Sequence, residues 1–188
     1  MTKYKNQTLS KYLNDLAAKL AAPGGGSAAA LNAALGASLL SMVVNFTLGK
    51  PKYALYAKEL KATLVKSERL RKEFLNLVDL DVLAYKSQDT RKALAVPLRL
   101  ARLCSLATRL CPELIKKGNV NLASDVAVAA VFFDSSLAAA CFNVEINLKI
   151  IADVRLSNRV RKELKNIQKT VLNQRQETEA GYGKIIRG

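Results

Sequence analysis

Apolar residues recur every three or four positions along nearly the whole 188-residue chain, and no stretch keeps the two-residue alternation of a strand. The pattern predicts helices over 9–20, 27–47, 53–86, 91–117, 122–151 and 153–179. Thr8 or Ser10 is placed to cap the first. Gly49, Lys50 and Pro51 stop the second, and Gly118 and Asn119 the fourth. Pro97 and Pro112 should kink or divide the fourth, because proline lacks an amide hydrogen and its ring crowds the preceding turn. Residues 181–188 are expected to form a loose tail. Two segments, 27–46 and 126–144, are long and apolar and carry no charge but Asp134. They are near the length that spans a bilayer. Their richness in Ala and Ser, without aromatic belts at the ends, fits helices buried by neighbours instead. The expected fold is all-α: one domain, 1–188, an antiparallel bundle of about six long helices with two buried Ala-rich helices at its centre.

Composition narrows the chemistry. The chain has no histidine, which removes the usual general base, the usual metal ligand and any serine–histidine triad. Cys104, Cys111 and Cys141 have no metal-binding spacing and read as small apolar residues in a reducing compartment. The first residues, MTKYKNQTLSKYL, lack the apolar core of a secretory leader, so the expectation is a cytoplasmic protein. Thirty Lys and Arg against 15 Asp and Glu give a net charge of +15, which attracts anions. Much of the excess lies on the last helix, at Arg155, Arg159, Arg161, Lys162, Lys165, Lys169 and Arg175. It reads as a solvated face rather than a nucleic-acid patch.

Three places could carry chemistry. Gly24, Gly25 and Gly26 precede the second helix, with Ser27 placed to cap it. Glycines permit positive φ or a close approach, and free amides at a helix start attract a carboxylate or phosphate. A flexible turn with an ordinary cap would look the same. On the third helix, positions 70, 74, 77, 78, 81 and 85 form one stripe, and position 81 is Asp. A carboxyl facing the core has a raised pKa, useful for acid–base work. Pairing Asp81 with a buried cation would be the structural alternative. Asp79 falls on roughly the opposite face and should be solvated. The third place is the turn of Asn119, Asn121, Ser124 and Asp125, where Asn121 or Ser124 can cap the fifth helix. Asn143 and Asn147, four apart, share a face and could bond across the bundle or line a pocket. Asn45, Thr47 and Lys50 form a similar, weaker group.

Five segments together resemble the cyclodeaminase/cyclohydrolase family: APGGGSAAALNAALGASLLSMVVNFTLGK (22–50), LVDLDVLAY (77–85), VPLRLARLC (96–104), KGNVNLASDVAVAA (117–130) and NVEINLKIIAD (143–153). The resemblance implies an all-helical homodimer that acts on a folate without metal or other cofactor. Members close 5-formimino-tetrahydrofolate with loss of ammonia, or hydrolyse 5,10-methenyl-tetrahydrofolate. It implies further that Asp81, followed by Ala84 and Tyr85, is the acid/base residue. Gly24, Gly25, Gly26 and Ser27 correspond to the family's glycine loop, and Asn119, Ser124 and Asp125 to its polar turn. One departure stands out: only residues 86–95 separate Tyr85 from Val96 and Pro97, where members carry a longer stretch. A non-catalytic relative that binds an anionic metabolite or a protein is therefore a competing reading. A basic nucleic-acid-binding bundle, suggested by charge alone, lacks aromatic platforms for stacking.

Overall fold

A computed structural model describes residues 3–188; Met1 and Thr2, the first two residues of MTKYKNQTLSKYL, lie outside it. The described residues form seven α-helices and no strand: α1 Leu9–Ala17, α2 Gly25–Thr47, α3 Ala57–Lys86, α4 Thr90–Thr108, α5 Cys111–Lys117, α6 Ala123–Ile151 and α7 Val154–Arg187. Pro112 divides the predicted fourth helix into α4 and α5, because it opens α5 where its missing N–H costs nothing. Pro97 stays inside α4. At the end of α2, Gly49 takes φ +81°, a conformation open to glycine at no steric cost.

The bundle is antiparallel around α2 and α6. Ser41 and Ser67 meet at 2.8 Å between α2 and α3. The Asn32 side chain donates to Phe132 O and to the hydroxyls of Ser135 and Ser136, which ties α2 to α6. Ala33, Ala37, Ala129, Ala130 and Ala140 are fully buried, so small side chains let the two central helices approach their neighbours. Phe74 of α3 and Phe133 of α6 stack with ring centroids 6.1 Å apart and fill the space the alanines leave. Both α2 and α6 are long and apolar enough to cross a membrane; here they form the middle of the bundle. Cys104 and Cys111 are buried free thiols, and Cys141 is half-buried.

Three expectations are corrected. The last helix does not end at 179 but runs to Arg187, and the supposed tail packs. The reason is visible in the spacing: Val160, Leu164, Ile167, Val171 and Thr178 continue through Tyr182 and Ile185, both against the core. Asp79 is not solvated. It is buried under the 3-10 turn Tyr4–Asn6, whose Tyr4 amide donates to Oδ1 at 2.6 Å and whose Lys5 amide donates at 3.4 Å. Helical periodicity alone gives no sign that the N-terminal segment crosses this face. Finally, the helix-5 caps predicted at Asn121 and Ser124 are absent: α6 starts at Ala123, and Asn119 instead caps the preceding 3-10 turn by accepting from the Asn121 amide at 3.2 Å.

Replacing Asp79 by Ala leaves two part-buried amides without their acceptor. We expect a loss of about 1–3 kcal/mol in chemical denaturation, with the helical circular-dichroism signal of the native state unchanged.

Candidate functional site

The glycines start α2 rather than precede it. Gly24 is the N-cap position with φ −138°, and Gly25 and Gly26 form the first turn. No residue of the triplet takes positive φ, so conformational freedom is not its use here. Close approach is. A Cβ at Gly26 would lie 2.8 Å from Asp81 Cγ and nearer still to Oδ1. The missing side chain is the space that the Asp81 carboxyl occupies. Gly24 and Gly25 face open space.

Ser27 does not cap the helix. It sits in the first turn, buried, with its hydroxyl donating to Val78 O at 3.1 Å and accepting from the Tyr12 hydroxyl at 3.1 Å. Tyr12, from α1, is itself buried. This chain of bonds fixes the start of α2 to α3 one turn before Asp81. Burial pushes the Asp81 carboxyl above the ordinary aspartate pKa, and the facing backbone amide of Ser27 acts in the opposite direction. No cation pairs with Asp81 among the described residues, so the structural alternative of a buried ion pair is not what the fold builds. Burial also raises the Tyr12 phenol, and the nearby Asp81 charge adds to that.

Asp81, Gly24, Gly25 and Gly26 line one cavity of about 430 Å³, a volume in the small-molecule range. Its other walls come from the end of α3 (Tyr85), the start of α4 (Thr90, Pro97) and the end of α6 (Asn143, Asn147). The side-chain nitrogen of Asn143 donates to Ala139 O at 2.9 Å, and that of Asn147 to Asn143 O at 2.7 Å and to Ala93 O at 3.1 Å. Both residues line the pocket, but only Asn147 bonds across the bundle, to α4; the Asn143 bond stays within α6. Thr90 and Pro97 had no sequence signal marking them as neighbours of Asp81, since only the tertiary path of α4 brings them there. No three of His, Cys, Asp and Glu converge among the described residues.

The second predicted cluster does not join this site within one chain. Asn119 donates its backbone amide to Thr47 Oγ1 at 2.9 Å, at the far end of α2. Twenty-three residues of helix separate that end from the glycines, about 34 Å at 1.5 Å per residue. Asn119, Ser124 and Asp125 thus stand at the opposite pole of the bundle. The bonds of Asn119 and Thr47 are structural, as is Val120 N to the Tyr53 hydroxyl at 3.2 Å.

Comparison with known proteins agrees with this geometry. The sequence model described as formiminotransferase-cyclodeaminase matches residues 8–88 and 86–166. The two blocks meet at the α3–α4 turn. A methenyltetrahydrofolate cyclohydrolase of Methylorubrum extorquens is 35% identical over 185 residues, covering 86% of this chain and 89% of the relative. The formimidoyltransferase-cyclodeaminase of Rattus norvegicus is 30% identical over 183 residues, covering 85% of this chain; the chain spans only 34% of that longer protein. A crystal structure of formiminotetrahydrofolate cyclodeaminase from Thermotoga maritima superimposes with a TM-score of 0.91 at 26% identity, over 97% of this chain and 98% of the other. With the glycine turn, the aspartate helix and the helical bundle all matched in order, the chain belongs to the formiminotransferase-cyclodeaminase family.

Proposed function

We propose that this protein is a tetrahydrofolate one-carbon enzyme that hydrolyses the methenyl bridge of 5,10-methenyl-tetrahydrofolate, closes 5-formimino-tetrahydrofolate with loss of ammonia, or does both, with Asp81 as the proton-moving group. One observation carries the reading: a carboxyl of raised pKa is seated on the first turn of α2 inside a cavity, without a cation to neutralise it. That arrangement is unfavourable for the protein alone, and it suits a substrate that is itself cationic at the reacting carbon. In hydrolysis the carboxylate stabilises the amidinium and takes a proton from the attacking water; the proton then returns to the nitrogen that leaves carbon. In ring closure the same carboxyl, protonated, delivers its proton to departing ammonia. The reading needs no metal and no organic cofactor, because every step is a proton transfer around carbon already activated as a cation. It also treats the protein as cytoplasmic, supported by three free cysteines. Gly24, Gly25, Gly26 and Ser27 stay as the substrate cradle, the first three at the cavity wall and Ser27 behind it. Because Gly26 and Asp81 share one hollow, the non-catalytic alternative loses the geometry that would favour it.

The same reading includes a homodimer. The outward side of α2 shows Leu35 and Phe46, and the adjoining side of α6 shows Val128, Val131, Phe142 and Ile146, all exposed. No charged residue interrupts 27–46. The α6 carboxylates at Asp134 and Glu145 point the other way, to Arg175 and Arg161 of α7. Two helices side by side, 23 residues long at the shorter, present on the order of 700 Å², close to the ~800 Å² that a stable partner covers. A second copy fits this face best, since two surfaces of a strongly cationic chain approach each other with least repulsion where both are free of charge.

Three results are expected. Asp81→Asn abolishes conversion of both folates while its melting temperature at neutral pH is equal to or above wild type, because a half-buried carboxylate with a raised pKa costs stability when ionised. Wild-type kcat/KM for hydrolysis falls as pH drops through the raised Asp81 pKa, so this acid limb lies above the ordinary aspartate range. Gly26→Ala, which pushes the carboxyl aside, lowers kcat/KM by about 100-fold; wild-type rates from this variant, or a purified wild-type protein that turns over neither folate, overturns the reading. For the dimer, Leu35→Glu combined with Val131→Glu should stay helical but sediment as a monomer, against a wild-type dimer.

A further inference from the structure

The Asp81 carboxyl lies against a helix start that has no cap of its own. Gly24, at the N-cap of α2, offers no side chain, and the first bond inside the helix runs from Ala28 N to Gly24 O at 3.0 Å. The amides of Gly25, Gly26 and Ser27 therefore have no partner within α2. Asp81 reaches this turn from α3, into the space that a side chain on Gly26 would fill.

Ser27 brings two donors to the same place, its backbone amide and its hydroxyl. The amide faces Asp81. The hydroxyl is turned to Val78 O, 3.1 Å away. A carbonyl only accepts, so this bond takes the one proton the serine hydroxyl has. The Tyr12 hydroxyl, 3.1 Å from the same serine oxygen, is then the donor of the second bond. Both residues are buried, which keeps solvent off the two bonds. Val78 and Asp81 are three apart on α3 and share a face of it. A carboxylate is a stronger acceptor than a neutral carbonyl, so a Ser27 hydroxyl free to turn would choose Asp81. In this structure it is committed elsewhere.

No other group near the pair performs this task. The Tyr4 ring stands edge-on to Tyr12, with centroids 5.5 Å apart, but its hydroxyl is held by Asp15 at 2.9 Å, and Asp15 by Lys11 at 2.8 Å. Asp79 takes the Tyr4 and Lys5 amides, and Lys5 Nζ goes to Asn76 at 2.7 Å. On the cavity side the titratable neighbours are Tyr85 and Asp89, and the α6 wall brings only asparagine and isoleucine. Burial holds the Tyr12 phenol above its ordinary pKa; the Ser27 bond opposes this and the Asp81 charge adds to it. The phenol thus keeps its proton, as a donor, throughout the range in which Asp81 titrates.

We propose that Tyr12 is a positioning residue for the reaction: by donating to Ser27 Oγ it commits the serine proton to Val78 O and withholds it from Asp81. The proposal rests on the folate reading above and deepens it, by naming what keeps the Asp81 carboxylate a strong enough base to take a proton from water. A carboxylate given one more donor is a weaker base. Tyr12 itself does not line the cavity and acts only through Ser27.

The test is a cycle of Tyr12→Phe, Ser27→Ala and the two together. Phenylalanine keeps the buried ring and removes one hydroxyl. Tyr12→Phe frees the Ser27 hydroxyl to turn to Asp81, so the acid limb of kcat/KM for hydrolysis should move down by about half a pH unit or more. Ring closure, which uses the protonated carboxyl, should lose about three-fold in kcat at unchanged KM by the same change. Ser27→Ala has no hydroxyl to release, so adding Tyr12→Phe to it should leave the limb where Ser27→Ala alone puts it. An unmoved limb in Tyr12→Phe, an upward move, or the same downward move in the Ser27→Ala background overturns the proposal. The cycle is also read without turnover, by following the Asp81 carboxyl carbon through a pH titration by NMR, its signal identified as the one lost in Asp81→Asn. A downward shift in Tyr12→Phe that vanishes in the Ser27→Ala background supports the positioning role, even from a protein that turns over neither folate. A carboxyl that titrates alike in wild type and Tyr12→Phe overturns it and leaves the folate activity standing.

Discussion

The contact between the first turn of α2 and the middle of α3 is the constraint from which the site follows. Two helices can come this close only where one of them lacks a side chain, and Gly26 provides that gap for the Asp81 carboxyl. The Ser27 hydroxyl then clamps the pair through Val78 O, and Tyr12 locks the clamp from outside. Nothing in the arrangement neutralises the carboxyl. Backbone amides at the start of α2 give it a favourable dipole, while burial works against its charge. The balance keeps the proton affinity of Asp81 higher than that of a surface aspartate without removing it from reach of a ligand.

Asp79 and Asp81 are two residues apart on one helix and do opposite things. Asp79 turns to the N-terminal segment and is consumed by two amides. Asp81 turns to the cavity, beside the Ser27 backbone amide. The contrast shows that burial alone does not mark a functional acid, because Asp79 is the more deeply buried of the two. What separates them is what they face: Asp79 Oδ1 takes the Tyr4 and Lys5 amides and its Oδ2 is buried without a partner, whereas Asp81 opens onto the cavity. Among the arginines, those on Glu68, Glu73, Glu145, Asp134 and Glu163 hold the surface of the bundle together, whereas Arg91, Arg155 and Arg159 have no ion-pair partner among the described residues.

Most of the fold is legible in the sequence because helices leave a strong period and clear stops. Gly49 and Pro112 mark boundaries for steric reasons that apply in any context. The stripe containing Asp81 is legible for the same reason: a carboxyl among Leu70, Phe74, Leu77 and Val78 has to face inward. What periodicity does not carry is the third dimension. It gives no sign that 4–6 fold back over Asp79, or that α4 brings Thr90 and Pro97 beside Asp81. The local signals at Asn119, Ser124 and Asp125 are those of helix boundaries, and they say nothing of which pole of the bundle the boundary occupies. The glycine triplet is legible as a special place, though the property in use at Gly26 is the absence of volume and not the freedom of its backbone.

The outermost piece of the clamp, α1, is nine residues long, below the length at which a helix persists on its own in water. Its hold on the bundle depends on Tyr12 and a few flanking contacts, so it belongs to the part of the molecule that opens first. Burial of the Asp81 carboxyl is thereby linked to a marginal peripheral element. Gradual sequence drift along this short segment would loosen the Ser27 clamp while every residue lining the cavity stayed the same, and warming would detach it locally well before the bundle itself came apart.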